Sequence, residues 1–242
     1  MKTRLAAVAA LAASCSLPAA AAIIVPGDTA DSDLNINNVV VASGLNRAWN
    51  IAGTRSNDAA GPRNVIFVFD VSTLPTGSGL ASVTLNTTFR EVWNNASLPD
   101  GFAVDAYFVG FSSTAAIDND TPADLVYTAS DAGLGTKIAD DIVVKDDGTA
   151  NNTTFQLGGD SSDLLDALRT RATDGTEDFA FFRLNPDVAL PAGNPGFRGF
   201  AFYQADAPEV NRRPSLEYTV PEPGSLGLMS LGLLAMVRRR RS

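Results

Sequence analysis

The chain has 242 residues, one cysteine and no histidine, with 18 Lys and Arg against 27 Asp and Glu. Without histidine, Ser-His-Asp and Cys-His catalysis and histidine-based zinc sites are excluded. The acidic balance argues against nucleic acid and anionic membrane surfaces as partners.

The first 22 residues read as a secretory signal peptide: Lys2 and Arg4, an apolar run over 5–13, then Pro18 and small residues to Ala22. Cleavage after Ala22 follows the small-x-small rule, with the bonds after Ala20 and Ala21 as neighbouring alternatives. Cys15 follows Ala12, Ala13 and Ser14, not the leucine of a lipoprotein signal, and leaves with the leader. The mature protein then has no thiol or disulfide, and packing alone must stabilise it. Residues 23–220 carry 12 Lys and Arg against 26 Asp and Glu, a net charge of −14, and are long enough for one large β domain.

Short apolar segments separated by turn residues predict strands over 38–42, 64–71, 81–92, 102–111, 124–128, 138–145, 153–157, 178–184, 197–204 and 215–220. Alternation places Val83, Leu85 and Phe89 on one face, and sets Leu216, Tyr218 and Val220 opposite Glu217 and Thr219. Val65 to Phe69 are continuously apolar, the pattern of a central strand covered on both faces. One segment, about 160–173, predicts a short amphipathic helix. Ser161 or Ser162 can cap it, Asp163 suits its first turn, Leu164, Leu165 and Leu168 form the stripe, and Arg169 and Arg171 lie towards its negative end. The fold class is therefore all-β, a sandwich with one helix that plugs an end or covers an edge.

The phrase RNVIFVFDVSTLPTGSGLASVTL over 63–85 resembles the DNRLRE-type exported β-sandwich modules, as does the closing RPSLEYTV over 213–220. Arg47-Ala48-Trp49-Asn50 is compatible with an early strand of such a module. The resemblance implies a jelly-roll-like sandwich of a kind often carbohydrate-binding or surface-associated.

Two kinds of ligand chemistry remain available. The oxygen-rich stretch holding Asp118, Asp120 and Asp124 is a candidate calcium site, although Pro122 departs from the EF-hand pattern; Asp140-Asp141 with Asp146-Asp147-Gly148 is a second acidic group. No other cofactor is expected. A glycan platform needs an aromatic ring at a rim, and Trp93, placed where a strand gives way to Asn94-Asn95, is the leading candidate, with Trp49 the second. A glycosidase needs only two placed carboxylates, and no signature singles out a pair.

The chain closes on VPEPGSLGLMSLGLLAMVRRRRS, where Val220, Pro221, Glu222 and Pro223 break the last strand. The apolar run 224–237 predicts an anchor helix. At about 1.5 Å per residue it reaches roughly 21 Å, short of the roughly 30 Å hydrocarbon core, so a transient anchor fits. Arg238, Arg239, Arg240 and Arg241 hold its end on the cytoplasmic side. Motif, run and arginine cluster together resemble the PEP-CTERM sorting signal of Gram-negative bacteria. That resemblance implies processing by signal peptidase and by an exosortase, with passage through the inner membrane to the cell surface or extracellular matrix. The domains are thus 1–22 (signal peptide), 23–220 (sandwich) and 221–242 (sorting signal). The expected function is a non-catalytic surface module contacting extracellular polysaccharide. The alternatives are a purely structural surface protein or a carboxylate-dependent carbohydrate-active enzyme.

Overall fold

A computed structural model describes residues 21–24, 32–35, 40–43, 48–54, 63–115, 135–159, 163–188, 190 and 196–221. Its strands are β1 (Ala21–Ile24), β2 (Ser32–Asn35), β3 (Val40–Ser43), β4 (Trp49–Thr54), β5 (Arg63–Asp70), β6 (Ser82–Trp93), β7 (Ala103–Ser112), β8 (Thr136–Val144), β9 (Thr154–Gly159), β10 (Phe179–Pro186), β11 (Arg198–Tyr203) and β12 (Ser215–Thr219). The helix α1 (Asp163–Thr170) lies between β9 and β10. The expected strand over 124–128 and the C-terminal anchor helix fall outside the described residues. Among those residues, no helix is long and apolar enough to cross a membrane.

The strands form one curled antiparallel sheet in the order β1-β12-β6-β11-β4-β5-β10-β7-β8, with β9 beside β6, and β2 linking β5 to β3. The curl is organised by β6. Its residues 82–88 pair with β12 and β9, whereas Phe89 to Trp93 pair with β11 across a register shift. One strand therefore belongs to both halves of the sheet, and the core lies inside the curl.

Alternation decides what enters that core. Val65, Phe67 and Phe69 of β5, Val83, Leu85 and Phe89 of β6, and Ala180, Phe182 and Leu184 of β10 all point inward and are buried. Ile66 and Val68 point the other way and join Phe181 in a second buried cluster. The apolar run of β5 is thus covered on both faces, as its sequence requires, and β5 sits between β4 and β10. At the closing strand Leu216 is fully buried and Tyr218 packs half-buried beside it.

The helix ends at Thr170, three residues before the end that its sequence pattern suggested, and the expected start over 160–162 lies outside the described residues. Its leucine stripe is as expected: Leu164, Leu165 and Leu168 are fully buried. The arginines behave differently. Arg169 Nε donates to the Leu80 carbonyl at 3.0 Å, and the buried Arg171, beyond the helix, donates to the carbonyls of Leu74 at 2.5 Å and Ser72 at 3.3 Å. Both guanidiniums bind loop carbonyls, tying the helix to residues 72–80.

β4 was not predicted as a strand of its own, since Asn50 and Gly53 interrupt its apolar pattern. Gly53 answers a geometric need. It pairs with Gly199 of β11, both have positive φ (154° and 137°), and a Cβ on either would overlap the backbone of the opposite strand, at Arg198 O or Ala52 O. The strands approach too closely there for any side chain. Replacing Gly199 by alanine is expected to cost roughly 1–3 kcal/mol of stability, read as a lower urea midpoint at unchanged slope; an unchanged midpoint would mean the contact is not tight.

Candidate functional site

The two tryptophans singled out from sequence come together in space. Trp49 opens β4 and Trp93 closes β6, and these strands flank β11, where the register pairs Tyr203 with Trp49 and Gly199 with Trp93. Phe200 and Phe202 of β11 face the core, so Gly199, Ala201 and Tyr203 face outward, and both tryptophans with them. Strands two apart lie roughly 9.5 Å from each other. The indoles nevertheless stack with centroids 5.4 Å apart and planes at 18°. They must lean inward over β11, and the small side chains of Gly199 and Ala201 leave room for that.

Phe197 packs against both rings, at 6.2 Å from Trp49 and 5.6 Å from Trp93. The Arg90 guanidinium lies 5.0 Å from the Trp49 ring centroid, a cation–π distance, while its Nη1 meets Glu91 at 2.7 Å. Both indoles are half-buried. The patch therefore offers apolar ring surface, one cation and one carboxylate at the rim. Neither Phe197 nor Arg90 was marked by sequence reasoning, because each becomes part of the patch only through strand pairing.

On the inner side of the same end of β6, Phe89, Val92, Val143 and Phe200 floor a cleft of about 210 Å³ whose rim includes Asn95, Asp146, Asp147 and Thr149. Of the acidic turn here, Asp147 is committed to the turn's own backbone. Asp147 accepts from the N–H groups of Val144 (2.9 Å) and Thr149 (2.7 Å). Desolvation opposes its ionisation, but these backbone bonds prevail and hold its pKa below the usual carboxylate range. Asp146 accepts from Asn95 at 2.6 Å.

Asp140 and Asp141 do not gather with that turn. They meet Asp105 instead, all three offering carboxylate oxygens within 4.8 Å of one another. Asp105 is the one acidic residue in an apolar strand and is 1% exposed, which required a partner. It accepts from Tyr107 Oη at 3.0 Å and from the Asp141 N–H at 2.8 Å. Lys137 Nζ lies 2.8 Å from Asp105 and 2.7 Å from Asp140, so an ammonium stands where a metal ion would have to enter. Partial desolvation, then the charges of Asp140 and Asp105, raise the pKa of Asp141. Desolvation likewise raises that of Asp187, reinforced by Asp105 and Asp141. The calcium candidates Asp118, Asp120 and Asp124 lie outside the described residues, as do Pro221's followers Glu222, Pro223 and Arg238 to Arg241 of the tail.

Lys137→Met should strand the buried Asp105 charge and lower stability by about 3 kcal/mol in thermal or urea unfolding. A neutral outcome would show that Tyr107 and the Asp141 amide suffice.

Two comparisons with known proteins bear on these features. Residues 219–241 match the PEP-CTERM protein-sorting motif. The comparison with curated proteins finds no match.

Proposed function

We propose, from the PEP-CTERM sorting motif that this chain carries at 219–241, that it is an exported β module delivered to the cell surface by exosortase processing, and that it contacts extracellular polysaccharide there without catalysing a reaction. The sorting motif carries this reading. It supports an export route, and the resemblance of the tail to Gram-negative signals is what suggests passage through the inner membrane before release. The absence of histidine and of a mature cysteine supports a non-catalytic role, and Asp105, the most buried carboxylate, is fully engaged by Lys137, Tyr107 and a backbone amide.

The polysaccharide contact rests on the Trp49–Trp93 patch. Half-exposed indoles accept the C–H face of a sugar ring, and Arg90 and Glu91 add hydrogen-bonding groups that can orient hydroxyls. Because the two rings stack on each other, the ligand surface is their shared outer rim, with Phe197 extending it.

Replacing Pro221, Glu222 and Pro223 together by alanine is expected to leave full-length protein in the membrane fraction; normal appearance of the domain at the surface would overturn the sorting reading. For the contact, Trp93→Ala should weaken sedimentation with the host's own exopolysaccharide by about tenfold, equivalent to about 1.4 kcal/mol. Unaltered binding by a folded Trp93→Ala protein would remove the patch from consideration.

A further inference from the structure

The signal-peptide junction and the sorting motif are neighbours on one edge of the sheet. β1 pairs antiparallel with β12 in the register Ala21 to Thr219, Ala22 to Tyr218, Ile23 to Glu217 and Ile24 to Leu216. The other edge of β12 is occupied by β6, from Ser215 opposite Asn86 to Thr219 opposite Ser82. The edge covered by β1 is therefore the one edge through which the backbone of β12 can be reached. Thr219 ends that strand and is also the first residue of the matched motif.

Resting on the sorting reading above, we propose that signal-peptide removal uncovers the β12 edge at Tyr218–Thr219, and that this edge is the strand on which the tail-processing membrane protease docks. Proteases and other strand-binding proteins commonly take a peptide as an added β-strand, through its free N–H and C=O groups. Pro221 and Pro223 have no N–H to offer. Thr219 turns its backbone towards β6, where its carbonyl accepts from the Ala81 N–H at 2.8 Å, so the donors ahead of the break that face the outer edge are Tyr218 and Val220, and in the uncleaved chain Ala22 covers Tyr218.

The position of the cut matters. Hydrolysis after Ala22 consumes one water across the Ala22–Ile23 amide, leaving a carboxylate on Ala22 and an ammonium on Ile23. It removes the two pairings next to the motif and keeps the two farther away. Ile24 remains packed against the core, and the new ammonium of Ile23 stands in register with Glu217, an opposite-charge pair that keeps the stub in place. Hydrolysis after Ala20 would keep all four pairings and leave the edge closed. Front-end processing thereby licenses tail processing.

The test uses the full chain in cells that carry the sorting protease, with the leader exchanged so that the mature protein starts either at Ile23 or at Ala19. Pulse-chase of tail removal should be slower by about tenfold or more in the Ala19 form, because two paired residues must open before docking. In that longer form Ala21→Pro with Ala22→Pro, which cannot donate to the ladder, should restore the rate. Equal rates for the two starts, or a slow Ala19 form that the proline pair fails to rescue, overturns the inference while leaving sorting intact. No tail removal in either form overturns the sorting reading and this inference with it.

Discussion

The structure depends on a single strand serving two halves of a sheet. β6 runs twelve residues, paired first with β12 and β9 and then with β11. Its inward residues Val83, Leu85 and Phe89 contribute to the same core throughout, so the sheet must curl around them. Phe89 lies at the change of partner and meets Phe200 and Phe202 edge-on, at 5.8 Å and 6.0 Å. With a single cysteine the chain can form no internal disulfide, so this aromatic packing and the leucine stripe of α1 do the work that cross-links do in other domains.

The same strand sets out the surface features. Its last residue, Trp93, leans over β11 to meet Trp49, and its first residue, Ser82, shares a hydroxyl contact of 2.6 Å with Thr219, where the sorting motif begins. The aromatic patch and the processing end thus hang from opposite ends of one rigid element.

Much of this was legible in the sequence where a pattern is local. The continuous apolar run of β5, the alternation of β6 and the leucines of α1 each state their surroundings within a few residues. β4 was not legible, because Gly53 serves a backbone contact with Gly199, which lies far away in sequence. β1 was hidden because Ala21 and Ala22 read as the end of a leader, and only pairing with β12 makes them a strand. Of the candidate residues, Trp49 and Trp93 were named separately, and the structure stacks their rings on each other. The acidic grouping was misdrawn: Asp140 and Asp141 join Asp105 and Lys137 through the β7–β8 pairing, whereas Asp147 caps its own turn and Asp146 accepts from Asn95. Such groupings are set by register between strands, which sequence spacing does not encode.

The central claim is that the tail is an address removed after use, and that the curled sheet is what remains at the surface. Intact mass spectrometry of the protein recovered from the cell surface tests it most directly. The account predicts a species starting at Ile23 and lacking the apolar run and the arginines beyond Pro223. A surface species that retains residues 224–242 would contradict it.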